Sequence, residues 1–344
     1  MLPLQAVTPI ALERALGLTP AEARKIVSAV HRGRPVDDAQ GVRRASREAV
    51  RAHGSLPALE LRAVVQSALD PFVKLALATV EGHVIEAVRI PLERAGRFSA
   101  CVSSQAGCAL ACAFCATGRA GLTRNLETWE IVEQVRMVRA TLRGQGRVHG
   151  VVFQGMGEPL ANVDRVIDAI RVMCDPCALA IDARAMTVCT SGLPSGIRRL
   201  AREVPKVRLG LSIGSARSAV RRSLMPIDEA HPLDSVIEAV EEHARATGLA
   251  PMWAVTPLAG VNDTDDDARA LAELVRGFEG RVGIRPRVSI VPYNAIDVPG
   301  ADPFARGDVA RFVASLAHQG LRVHLRYSGG SDVAAACGQL AGRA

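Results

Sequence analysis

From residue 97 onward the chain repeats one pattern: a short β-rich run, a polar or glycine-bearing turn, then an amphipathic helix. The β-rich runs cover residues 97–103, 148–155, 185–192, 207–214, 251–260, 287–294 and 321–328. Helical spacing of apolar residues fills 127–144, 163–173, 195–204, 233–248, 266–280 and 305–320. Strands alternating with helices in this way predict parallel βα units rather than hairpins. A closed eight-unit barrel needs more chain than this. The count therefore predicts an α/β fold with a partial, six-unit (β/α)6 TIM-like barrel over residues 97–344. Ahead of it, three- and four-residue apolar spacing in 11–18, 20–33, 41–54 and 58–70 predicts helices. Residues 1–68 are then a small, weakly basic helical N-terminal accessory domain, either a helical cap on the main domain or an RNA-contacting unit. Residues 69–96 read as a β-hairpin connector, with arms on either side of Glu81-Gly82.

In a parallel βα barrel, reactive side chains sit on the loops that follow the strands. The densest such loop runs from Cys101 to Gly118, CVSSQAGCALACAFCATG, with Cys108, Cys112 and Cys115 in a C-x3-C-x2-C spacing. Closely spaced thiolates let one loop wrap one iron–sulfur cluster. Three protein ligands on a four-iron cluster leave one iron open to a chelating small molecule. Zinc usually takes four protein ligands in two pairs, and no second pair follows at finger spacing. Later loops carry Gly155-Met156-Gly157-Glu158-Pro159, Cys189-Thr190-Ser191-Gly192, Ser212-Ile213-Gly214-Ser215 and Pro292-Tyr293-Asn294. In the first of these Glu158 suits an ammonium group and would repel a phosphate. After the last strand comes a small-residue segment holding Cys337. Cys101 ends the first strand, and first and last strands approach one another in a closed barrel, so the two thiols could share a pocket. The alternative is two unrelated buried cysteines. Glu86 sits in an apolar row of the hairpin, either as an edge charge or in a site.

Composition narrows the setting. Eight cysteines in 344 residues make no disulfide framework, which favours a cytoplasmic location with metal or redox thiols. No apolar run is long enough for a membrane span, and no basic-then-apolar leader opens the chain. The net charge of +7 mildly favours a polyanionic partner, while 3% aromatics argue against stacked base platforms. Cys174 and Cys177 form a C-x2-C without partner thiols and read as incidental.

The cysteine loop, with Phe114 just before its last thiol, resembles the signature of the radical S-adenosylmethionine superfamily, and GMGEP resembles that superfamily's GGEP-like loop. Taken together, CVSSQAGC-x3-C-x2-C, GMGEPLAN and AACGQLAG resemble the RlmN/Cfr family of rRNA methyltransferases over nearly the whole chain. The resemblance implies a 4Fe–4S cluster held by Cys108, Cys112 and Cys115. It implies S-adenosylmethionine bound by Gly157, Glu158, Cys189, Ser212, Ile213, Gly214 and Asn294. It further implies that Cys337 is first methylated, and that a 5′-deoxyadenosyl radical takes a hydrogen from that methyl. The carbon radical would add to C2 of an adenosine in 23S rRNA, with tRNA as a further substrate; the alternatives are C8 as the position, or a diverged paralogue acting on another RNA. Glu86 would take the ring proton, and Cys101 would attack the Cys337 sulfur, forming a disulfide and releasing the RNA. A non-catalytic RNA-binding iron–sulfur protein is the alternative of a different class; binding alone would need neither thiol. The protein would act as a monomer, served by an electron donor such as flavodoxin. Arg217, Arg221, Arg222, Arg285 and Arg287 are candidate phosphate contacts. This chain departs from the family where it has Cys189 for Ser, Gly214 for His, Gly329-Gly330 for Arg-Gly, Asp228 for Asn, and Trp129 for a small residue.

Overall fold

The computed structural model describes residues 1–297 and 302–342. The first helices form where local signals demand them. Thr8 caps α1 (Pro9–Leu16), and Thr19 and Glu22 make a reciprocal capping box on α2 (Pro20–His31). With α3 (Arg44–His53), these helices bury Leu12, Ile26, Val27, Val30 and Val50 in a core of their own.

The fourth expected N-terminal helix, over 58–70, is instead a strand, β1 (Glu60–Gln66). It pairs antiparallel with β2 (Val73–Ala78), which pairs with β3 (Val84–Pro91) across a turn where Gly82 adopts φ +86°. Leu61, Val64 and Val65 stay exposed along this edge. Strand pairing, rather than burial of a helical face, decides the local structure.

The expected βα alternation follows. Strands β4 (Arg97–Cys101), β5 (Arg147–Phe153), β6 (Met186–Thr190), β7 (Arg208–Ser212), β8 (Met252–Val255), β9 (Arg287–Ile290) and β10 (His324–Leu325) pair in parallel, in sequence order. The connecting helices are α4 (Thr128–Ala140), α5 (Val163–Cys174), α6 (Pro194–Glu203), α7 (Leu233–Thr247), α8 (Asp265–Val282) and α9 (Val309–His318). Their apolar faces cover the sheet; Trp253 of β8, for example, meets Phe278 of α8 edge to face at 5.2 Å.

One detail differs from expectation. The hairpin is no free connector: β3 pairs antiparallel with β4, so β1–β3 extend the barrel sheet to ten strands. The barrel is left open, as a partial barrel should be: among the described residues β4 and β10 do not pair, and the segment after β10 is held by side-chain bonds to the loop between β1 and β2. Asp70 accepts from the Gly330 amide at 2.9 Å and the Tyr327 hydroxyl at 2.8 Å. Asp332 accepts from Ser67 and from the Ala68 amide.

Candidate active site

The C-terminal ends of β4 to β9 and the tail after β10 surround one cavity of ≈ 210 Å³. Cys101, Cys112, Cys115 and Cys337 all line it. The sequence puts these thiols 236 residues apart at the extremes (337 − 101); strand order and the returning tail bring them together. Cys108 lies off the lining, near enough to Cys115 and Cys112 to couple with their charge.

The loop holding the three early thiols folds tightly. Ala111 takes the left-handed region at φ 51°. The Ala113 amide donates to Leu224 O at 2.9 Å, and the Ala116 amide to Gly338 O at 2.8 Å. The second bond joins the cysteine loop to the tail one residue past Cys337. All eight cysteines are free. Burial pushes Cys108 up to about 11 and Cys112 up to about 12, and raises Cys115 as well. Thiols penalised in this way become thiolates readily only when a metal or cation compensates the charge. Three buried, closely spaced cysteine thiols on one tight loop are a donor set that fits an iron–sulfur cluster.

Burial also raises the Cys101 thiol, and proximity to Cys337 and Cys189 raises it further. Cys189 is itself pushed up to about 12 by burial. Its Sγ donates to Gln154 Oε1 at 3.6 Å, and the same oxygen accepts from Arg326 at 3.3 Å. Gln154 and Arg326 line the cavity, and sequence reasoning missed both. Their only signal was position, near the end of a β-rich run.

The other candidates divide. Ser212 and Gly214 line the cavity. Ile213, between them in sequence, is buried and off the lining. Gly157 has φ +97°, and a Cβ there would lie 2.5 Å from Gln105 Cβ, so glycine is required for the loop itself. Glu158 is buried; Oε1 accepts from the Leu160 amide at 3.0 Å and Oε2 from the Ser191 amide at 2.9 Å. Burial raises its pKa against those two bonds, and a carboxylate so held keeps lone pairs for a further donor. Asn294 lies off the cavity lining, and its amide donates to Ser328 Oγ at 2.8 Å and to Cys337 O at 3.2 Å. In this conformation it holds the tail.

Glu86 also lies off the cavity lining. It is 1% exposed. Oε1 pairs with Lys74 at 2.9 Å, and Oε2 accepts from the amides of Ala341 and Gly342 at 2.8 and 3.0 Å. The in-row charge of the hairpin is therefore a tail anchor here. Lys74, diagonal to it across β2 and β3, gave no warning in sequence. The phosphate candidates scatter as well. Arg221 is fully buried and faces no solvent, Arg217 pairs with Asp267 and Arg285 with Glu279, and Arg287 opens β9 at its far end from the cavity.

Residues 102–275 match the radical SAM superfamily. A probable RNA methyltransferase of Sorangium cellulosum is 59% identical, over 97% of this chain and 90% of its own length. A probable dual-specificity RNA methyltransferase RlmN of Moorella thermoacetica is 36% identical, over 98% of this chain and 96% of its own. The chain belongs to the RlmN/Cfr family of radical S-adenosylmethionine RNA methyltransferases. A solved structure of a radical SAM methyltransferase from Sphaerobacter thermophilus superposes with a TM-score of 0.88 at 34% identity, covering all of both chains. The partial barrel is thus the fold of this family, and a 4Fe–4S cluster with S-adenosylmethionine is its cofactor set. The chain is a radical SAM RNA methyltransferase. Among the described residues no helix is long and apolar enough to cross a membrane.

Proposed function

We propose that this enzyme methylates C2 of an adenosine in 23S rRNA, and in tRNA, through a methyl group carried on Cys337. The observation that carries the reading is the single cavity lined by Cys101, Cys337 and two thiols of the early triplet. Cys108, Cys112 and Cys115 would hold the cluster, with Glu158, Gly157, Cys189, Ser212, Ile213, Gly214 and Asn294 around the bound cofactor. When bound, S-adenosylmethionine supplies the methyl group and, with one electron delivered through the cluster from a donor such as flavodoxin, the hydrogen abstraction that makes the methyl carbon reactive.

The chain's own residues do the rest. Cys337 accepts the methyl on sulfur and presents it to an adenine freed from its stack. Glu86 receives the ring proton after the carbon–carbon bond forms. Since Lys74 and the tail amides now occupy its carboxylate, that role requires the tail to shift. The same shift moves Cys337, so the base is uncovered as the thiol is displaced. Cys101 then attacks the Cys337 sulfur: the S–S bond forms as the bond from that sulfur to the methylene carbon breaks, the carbon takes up a proton to become the methyl group, the RNA is freed, and the one electron left over would return to the cluster. Arg24, Lys25, Arg32 and Arg34 surround one groove on the N-terminal helices, and this weakly basic unit serves as an RNA-contacting accessory domain. The enzyme works as a cytoplasmic monomer.

Anaerobically reconstituted Cys101→Ala protein, incubated with S-adenosylmethionine and rRNA, tests the reading. A protein–RNA adduct on Cys337 and 2-methyladenosine from the wild type are expected. 8-Methyladenosine would move the target carbon. An unmodified Cys337 with no adduct would leave only RNA binding.

A further inference from the structure

Arg221 is the largest charged side chain buried without solvent contact in the barrel, at 0% exposure, against Asp228 at 1%. It lies on the short helix Ser218–Leu224 beyond β7. Its Nε donates to Asp228 Oδ1 at 2.8 Å. Nη1 donates to Ser212 O at 3.1 Å and to Ile213 O. Nη2 donates to Ser191 O at 2.7 Å. One guanidinium thus ties the loop after β6 to the end of β7. A planar fork with five donors can do this; an ammonium cannot.

The residues it ties border the cavity. Ser191 and Ser212 both line it. The Ser191 amide donates to Glu158, and Ser191 Oγ stands 4.0 Å from Cys112 Sγ. Gly214 fits the same arrangement. It has φ +70°, and a Cβ there would lie 2.5 Å from Met225 Sδ, itself 3.6 Å from Arg221 Nη1. A side chain at 214 would displace the sulfur packed on the guanidinium.

Stability does not account for such a pair. A buried ion pair commonly adds nothing over apolar residues of like volume. Here Asp228 Oδ2 is buried without a hydrogen bond, and Arg222 Nε approaches it only to 3.9 Å. Nor is Arg221 free to contact a phosphate, because its guanidinium faces inward.

We propose that Arg221, braced by Asp228, is a positioning residue that sets Ser191, and through it Glu158 and the Cys112 side of the cavity, for S-adenosylmethionine. This rests on the reading that Glu158 and the cluster thiols take that cofactor. The test compares anaerobically reconstituted wild type, Arg221→Lys, and the double variant Arg221→Met with Asp228→Leu. Iron content and urea midpoint report folding, and titration of the reduced cluster's EPR signal with S-adenosylmethionine reports binding. The double variant is expected to fold and carry iron as the wild type does, because no charge is left unpaired. Both variants are expected to bind S-adenosylmethionine about 10- to 100-fold more weakly, the usual range for residues that orient a site's ligands. A double variant that loses fold or iron, or an Arg221→Lys protein that titrates like the wild type, overturns the assignment. A wild type with no cofactor-dependent signal overturns the cofactor reading as well, which separates the two failures.

Discussion

The two walls of the cavity are built by different physics. One wall consists of strand ends. Cys101, Gln154, Ser191 and Ser212 stand where parallel ladders put them, and each ladder spreads its hold over many backbone bonds. The other wall is the tail from Arg326 to Gly342, which has little regular structure beyond β10 and a short 3-10 turn. Side chains of distant segments hold it: Asp70 on Gly330, Ser67 on Asp332, Glu86 on Ala341 and Gly342, Asn294 on Cys337. A ladder survives the loss of one side chain, whereas a latch of single carboxylates does not. The wall that carries Cys337 is therefore the one able to move, which is what a thiol visiting both a cofactor and an RNA base requires.

The largest effects separate the walls outright. Cys112→Ala and Cys337→Ala should each reduce methylation by at least about 10³-fold, as expected when a member of a catalytic unit is removed. Only Cys112→Ala should also lose iron, read as iron per chain and visible absorbance. If Cys337→Ala lost iron equally, the tail would belong to the cluster wall and the contrast would vanish. Next comes the latch. Asp70→Ala removes the acceptor for Gly330 and Tyr327, and should lower turnover by about 10- to 100-fold, the scale for a reactive group displaced by about an ångström. Iron content should stay unchanged, and hydrogen exchange should quicken in the tail while β5 to β7 stay protected.

Glu86→Gln probes the same latch from within the sheet. It leaves Lys74, 13% exposed, without its carboxylate partner, and should cost about 3 kcal/mol in urea unfolding, the lower end for breaking a buried pair. Pairing it with Lys74→Met should return most of that loss. A variant as stable as the wild type would show that the Lys74–Glu86 bond contributes little.

What was legible in the sequence follows the same division. The parallel strands and the six long helices could be read because burial on one or two faces imprints a period. β1 could not: it is an edge strand exposed on both faces, so Leu61, Val64 and Val65 carry no alternation and mimic a helical stripe. The cysteine loop was legible because its three ligands are local. The tail partners of Glu86 lie 255 and 256 residues away, and no spacing announces them. Arg221 misled because an arginine in a basic stretch reads as surface; only the coordinates set Asp228, seven residues on, against it.

The smallest effect is a pH profile of opposite sign on the two walls. Burial raises the pKa of Glu158 on the strand wall, despite bonds from Ser191 and Leu160. The stability tied to that group is present in full below its unfolded value and is lost as pH rises through the folded one. Glu158→Gln should therefore gain on the wild type as pH rises. On the tail wall burial also raises Asp70, but bonds from Gly330, Tyr327 and Phe72 outweigh it and leave the pKa lowered. Its contribution is present above the unfolded value and is lost as pH falls through the folded one, so Asp70→Asn should gain on the wild type as pH falls. Urea midpoints of both variants against wild type from pH 7.5 down to the acid transition give the two slopes. Slopes of the same sign would mean that the carboxylates sit in alike environments, and that the tail is held no differently from the strands it faces.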